Sequence, residues 1–199
     1  ILKKEVIGNK QGIIEALAIQ TPEKMNMEIY ELLVDTADSY DTIMAFINSL
    51  HWRMLDSIKD KVFDYVNESV FKYRGTVKEF WSTIILLSIR PKHPFNAKRT
   101  FRTLLSMRMP DRDAIYIPLF NGIYTDDASS IKRLIDWAML DEDKEQVSND
   151  VIECAAIMLT WFLCTSNRVF RDSCTKAIIN LLTHRSNLVI KLLNMFKEI

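Results

Sequence analysis

Glycine is scarce in this chain. The 199 residues hold only four, Gly8, Gly12, Gly75 and Gly122, with five prolines. Tight hairpins need residues at positive φ, so this scarcity weighs against a β architecture. It also excludes a glycine-rich phosphate cradle: Gly8-Asn9-Lys10-Gln11-Gly12 is not a P-loop, and no Gly-x-Gly-x-x-Gly occurs. Cysteine is equally sparse. Cys154, Cys164 and Cys174 are an odd number without the close pairing that zinc ligands show, and they read as small buried hydrophobes of a reduced protein. Charge of one sign is missing too, since Lys+Arg and Asp+Glu are both 26, which gives no global reason to bind nucleic acid or an anionic membrane. No apolar run reaches the ~20 residues of a membrane span. His51, His93 and His184 lie far apart, and Gly-x-Ser-x-Gly, His-Glu-x-x-His and Cys-x-x-Cys are all absent. No catalytic residue, metal or cofactor is expected.

What the chain does have is helical periodicity. Thr21-Pro22-Glu23 reads as a helix start, a hydroxyl cap followed by proline and an acid, leading into a stripe of Met25, Ile29, Leu32 and Leu33. Ile43, Phe46, Ile47 and Leu50 mark the next helix. A longer one is predicted from Leu55 through Val62 and Val66 to about Tyr73, ended by Gly75, and another over Thr76–Ser88. Arg90-Pro91-Lys92-His93-Pro94 cannot be helix interior and is read as a rigid corner and the main internal junction. A helix over about Phe95–Met107 presents Phe101, Leu104 and Leu105. Pro110 opens the next, predicted to break near Pro118 or Gly122.

The last eighty or so residues are the clearest. Ile131, Leu134, Ile135 and Ala138 form a stripe entered from Asp126-Asp127, and Asp141-Glu142-Asp143-Lys144-Glu145 reads as an acidic loop. From Val151 to Leu163 nearly every position is apolar, the mark of a helix buried on most sides. Phe170, Cys174, Ala177, Ile178, Leu181 and Leu182 stripe the helix Arg168–Thr183, and Ser186-Asn187 is read as the cap of a last one. The fold class is therefore all-α, built of antiparallel helix pairs. The run Phe170-Arg171 to Ala177-Ile178 resembles the second helix of a HEAT repeat, with 150–164 as its first. That points to an irregular HEAT-like α-solenoid, with a globular helical bundle as the alternative. The chain divides into an N-terminal helical segment, 1–90, and helical repeats, 91–199, within one helical array.

Charge is distributed unevenly despite its zero sum. Arg90, Lys92, Lys98, Arg99, Arg102, Arg108 and Arg112 make a basic stretch that could meet an acidic partner or a phosphate backbone, while acids dominate from Asp126 to Asp150. Phe95 and Phe101 interleave with the cations but lie on an apolar stripe, where they serve the core and not base stacking. Asn96, Asp111, Asp113, Asn167, Arg168, Arg171 and Asp172 stand at helix starts, where polar residues cap and pair.

Several segments share an order and spacing with a known group. These are Arg90-Pro91-Lys92-His93-Pro94-Phe95-Asn96-Ala97, Met109-Pro110-Asp111-Arg112-Asp113-Ala114, Arg133-Leu134-Ile135-Asp136-Trp137-Ala138, Ala155–Leu163 and Ser166-Asn167-Arg168-Val169-Phe170-Arg171-Asp172. Together they resemble the helical region that follows the nucleotide-hydrolysing domain of bacterial STAND-class NTPases, the AVAST-like antiphage proteins. Ile115-Tyr116-Ile117 and Ser173 depart from that pattern. The resemblance covers roughly Trp81 to the last residue. It implies a non-catalytic sensor or linker region of a multidomain, cytoplasmic, signal-transducing ATPase, contacting a trigger protein or adjacent domains and oligomerising only through the parent NTPase. The start at Ile1-Leu2-Lys3 and the end inside a helical pattern fit a piece of a longer chain. The alternative function is a nucleic-acid-binding helical repeat using the basic stretch 90–112.

Overall fold

The computed structural model describes residues 10–140, 144 and 146–197. The acids Asp141, Glu142, Asp143 and Glu145 of the expected loop lie outside the described residues, as does Gly8. The described chain is all-α, with no strand. Eleven α-helices follow one another among the described residues: α1 Lys10–Met25, α2 Ile29–Leu32, α3 Tyr40–Ser49, α4 Lys61–Glu68, α5 Arg74–Leu87, α6 Ala97–Leu105, α7 Met109–Tyr124, α8 Ser130–Met139, α9 Asn149–Trp161, α10 Arg168–Leu182 and α11 Ser186–Phe196. Two compact units divide between Thr83 and Ile84, inside α5, so the proline corner at 90–94 lies within the second unit.

The first unit packs α1 and α2 against α3. Ile43, Phe46 and Ile47 of α3 are wholly buried, as the period of three and four requires. Tyr30 stacks on Tyr65 with ring centroids 3.7 Å apart, and Phe46 stands edge-on to both. Burial, with the charges of Glu28 and Glu31 nearby, pushes the Tyr30 hydroxyl up from its ordinary range. Beneath this cluster lies an ion pair closed to solvent. The Arg53 guanidinium grips the Glu28 carboxylate with two 2.7 Å hydrogen bonds, and its remaining donors reach the Ser57 hydroxyl at 3.2 Å and the Ser57 carbonyl at 2.7 Å. The pair thus ties the start of α2 to the 3₁₀ turn Leu55–Ser57.

Three local expectations in this unit are corrected. Thr21-Pro22-Glu23 does not start a helix: α1 runs through it, Thr21 and Pro22 are buried, and the Thr21 hydroxyl donates to the Leu17 carbonyl. Packing offsets the one hydrogen bond that Pro22 removes. Glu23 instead accepts the Met54 N–H at 2.8 Å, and Asn26, in the left-handed region at φ 52°, ends the helix. The long helix predicted from Leu55 to Tyr73 is three pieces, the 3₁₀ turn at 55–57, α4 and a second 3₁₀ turn at 70–72. Gly75 lies in the first turn of α5, not past the end of a helix. Thr76 sets that turn by donating to the carbonyls of Val70 and Tyr73.

The second unit is organised around α9. Every residue from Ile152 to Leu159 is buried, and the helix packs against α6, α8, α10 and α11. Its last residue, Trp161, sits with its ring 5.7 Å from Phe101 and 5.6 Å from Phe196, and the Arg112 guanidinium lies 4.9 Å from the ring centre. Phe120, Phe162 and Phe170 extend this core, with Tyr124 stacked on Phe170. α7 is not broken: it continues through Pro118 and Gly122, with Pro118 on the solvent side where the displaced carbonyl can meet water. Ser186 is the first residue of α11 and not its cap. Arg185 precedes it and spends its guanidinium on the carbonyls of Leu181 and Lys144. Cys154 and Cys174 are buried, and burial pushes the Cys174 thiol up to about 12. Cys164, expected inside, is exposed at the end of the 3₁₀ turn that follows α9.

Two stability measurements follow. Arg53→Ala should cost ~3–5 kcal/mol in denaturant unfolding, because it strands a buried carboxylate, and Glu28→Leu combined with Arg53→Met should recover most of that loss. Equal losses in the single and double variants would contradict the pair's role. Trp161→Ala should cost ~3–5 kcal/mol, and a thermal midpoint unchanged by it would mean that α9 does not organise this unit.

Candidate functional site

The site begins with how the proline corner is held. Two prolines keep residues 90–94 out of a helix, so the carbonyls there need other donors. Asn96 supplies them: its amide donates to the carbonyls of Pro91 and His93 at 3.1 and 2.9 Å, while its oxygen accepts the Arg99 N–H and caps α6. His93 is fully buried, and its Nδ1 accepts the Phe95 N–H at 3.1 Å. The Ala97 N–H reaches back to the Ser88 carbonyl at 2.8 Å. One asparagine therefore closes the corner and starts the helix.

α6 is sharply two-faced. Ala97, Thr100, Phe101 and Leu104 face inward, and Arg99, Arg102 and Thr103 face out. The outer face and the corner line an open cleft of about 650 Å³ whose walls include Lys92, Asn96, Lys98, Arg99, Arg102 and Ser106. Four of the seven cations in the basic stretch thus meet at one depression. Arg90 and Arg108 are exposed but are not part of its lining.

The structure also buries one of these cations and pairs two others with carboxylates. Arg112 is buried, its Nε donating to Asp113 at 3.1 Å and its guanidinium over Trp161, so it is a core residue and not a partner contact. Arg108 pairs with Asp111 at 2.7 Å. Lys98 turns its ammonium to Glu153 at 3.0 Å, and the same carboxylate oxygen accepts Lys191 at 2.7 Å. Phe95 and Phe101 are buried, so the cleft carries no aromatic stacking platform.

Glu153 stands within an apolar run and belongs to no motif that marks it. A lone carboxylate on a helix buried all round must find cations, and that rule was the available signal. Burial pushes its carboxyl up, but hydrogen bonds from Lys191 and Lys98 more than reverse this and hold it below its usual range. The Glu28–Arg53 pair had no local signal, since its members lie 25 positions apart.

The remaining polar positions hold another corner. Asn167 caps α10 by accepting the Phe170 N–H at 3.1 Å, and Arg171 donates to the Thr165 carbonyl at 3.0 Å. Thr165, buried, hydrogen-bonds Asn121 of α7. Arg168 and Asp172 approach to 3.6 Å on an exposed face, a contact of little energetic weight. Among the described residues no group of three or more His, Cys, Asp or Glu is placed to hold a metal, and no helix is long and apolar enough to cross a membrane. Family models, curated proteins and solved structures give no match to this chain.

Glu153 yields a pH signature. A carboxyl held low in the folded state contributes stability that is complete above its unfolded value of 4.5 and is lost as pH falls through the folded value. Glu153→Gln should therefore be less stable than the native chain at neutral pH, with the gap between the two melting temperatures narrowing as pH falls below 4.5. A constant gap as pH falls below 4.5 would show that Lys98 and Lys191 do not hold the Glu153 carboxyl low.

Proposed function

We propose that this chain is a non-catalytic helical region that recognises another protein surface, the sensor or linker part of a multidomain antiphage ATPase. The observation that carries the recognition role is the open cleft on α6. Its cations stand on a helix fixed from behind by the Asn96 corner and by the buried face of Phe101 and Leu104. Such a surface is pre-organised to be touched: the side chains that hold it are ordered before a partner arrives, which lowers the cost of association. The resemblance of the segments from Arg90 to Asp172 to the helical regions of STAND-class NTPases supports placing it downstream of a nucleotide-hydrolysing domain. The polar residues at those segments, Asn96, Asn167 and Arg171, serve as caps and ties of helix corners, the role expected of an array that presents a surface.

The reading predicts a P-loop in the coding sequence upstream of Ile1 and no nucleotide hydrolysis by these 199 residues alone. In cells challenged with phage, deletion of 84–199 from the parent protein should abolish protection. A parent coding sequence without a P-loop, or protection that survives the deletion, would refute it.

A further inference from the structure

We propose that the loop Trp52-Arg53-Met54 docks a basic amphipathic helix of another protein, with its apolar face on Trp52 and Met54 and its cations on Glu23 and Asp56. This surface goes beyond the recognition role above, because it belongs to the first unit and the α6 cleft to the second. Burial in the loop runs against residue type. Arg53 has no exposed side-chain surface, while Trp52 is 76% and Met54 69% exposed. No other large apolar side chain among the described residues is as open as Trp52. The chain is extended at Met54, and side chains along such backbone alternate in direction, so drawing Arg53 in to Glu28 turns both neighbours out. The backbone that carries them is held. The N–H groups of Trp52 and Arg53 donate to the Ser49 carbonyl, that of Met54 donates to Glu23, and the Met54 carbonyl accepts the Ser57 N–H. The two side chains thus stand on a fixed frame, which lowers the ordering cost of association. Trp is among the commonest interface anchors, and the flexible Met thioether adapts to varied apolar partners.

Charge selects the occupant. Glu23 sets its carboxylate against the Met54 N–H at 2.8 Å, and Asp56 follows, exposed, in the 3₁₀ turn 55–57. Neither carboxylate has a cation partner among the described residues. Lys24 turns its ammonium back to Gln20 at 3.3 Å, and Lys59 stands beyond the buried Ile58. An apolar pair edged by acids matches a helix with apolar residues three and four apart and Lys or Arg beside them. A second copy of this chain would bring Glu23 and Asp56 against themselves across a two-fold axis. An anionic lipid surface would meet the same repulsion.

The test is fluorescence anisotropy on the 199-residue chain with a labelled peptide that carries Leu at helical spacing and Lys between. Trp52→Ala combined with Met54→Ala should weaken binding about tenfold or more. Val34→Ala with Tyr40→Ala removes two other exposed side chains from the same unit and should leave binding within about twofold. Circular dichroism checks that both variants fold, and all four positions are exposed. Equal losses in the two variants, or no peptide binding by the native chain, would overturn the site. Glu23→Gln with Asp56→Asn should weaken binding of the Lys peptide and flatten its salt dependence. A peptide with Glu in place of Lys should bind about tenfold more weakly or worse. Unchanged binding in either of these arms would overturn the partner's charge. A dimer in sedimentation that Trp52→Ala dissolves would give the loop to a second copy and overturn the partner class. Binding to anionic phosphatidylserine vesicles that the same change abolishes would give it to a lipid surface, with the same consequence.

Discussion

A helix that is apolar on every side cannot end at a surface, and in the second unit α9 imposes that constraint on its neighbours. From Ile152 to Leu159 each residue is buried, so α6, α8, α10 and α11 must all supply partners. The faces they turn inward are the stripes of Phe101 and Leu104, Ile131 and Leu134, Phe170 and Ala177, and Leu188 and Leu192. Cys154, Ala155 and Ala156 keep α9 slim enough for close approach. At its end Trp161 joins Phe101 and Phe196, from the helices before and after it in the chain, into one aromatic contact. The outward face of α6 is a consequence: once Phe101 and Leu104 are committed to the core, Arg99 and Arg102 lie on the exposed side of the helix.

Buried charge does a different job in each unit. In the first, Arg53 and Glu28 satisfy one another and the Ser57 carbonyl with no solvent contact, which fixes geometry more than it adds net stability. In the second, Glu153 gathers Lys98 and Lys191, connecting α6 and α11 through the one ionised group of α9's buried stretch. Arg112 adds a third device, a cation laid on an indole ring and paired with its neighbour Asp113.

The helical class was legible because amphipathic stripes are long and repeated, as in α3, α6, α8 and α10. The caps at Asn96 and Asn167 were legible as polar residues before apolar runs. The failures share a cause. Thr21-Pro22-Glu23, Pro118 and Gly75 carry strong local signals for helix ends, and tertiary burial overrides the first, solvent exposure tolerates the second, and Thr76 reassigns the third. The basic stretch was legible as composition, and Arg108 and Arg112 meet the nearby Asp111 and Asp113, but the pairing of Lys98 depends on a distant carboxylate. Lys98 meets Glu153 from 55 positions away, which no window of sequence displays.

The second unit closes around α9, whose residues from Ile152 to Leu159 are all buried. Native-state amide hydrogen exchange on residues 84–199 tests this most directly. The amides of Cys154 to Leu159 should be the slowest in the unit and exchange only through its global unfolding. Exchange of those amides at rates matching the outer turns of α6 or α11 would contradict it.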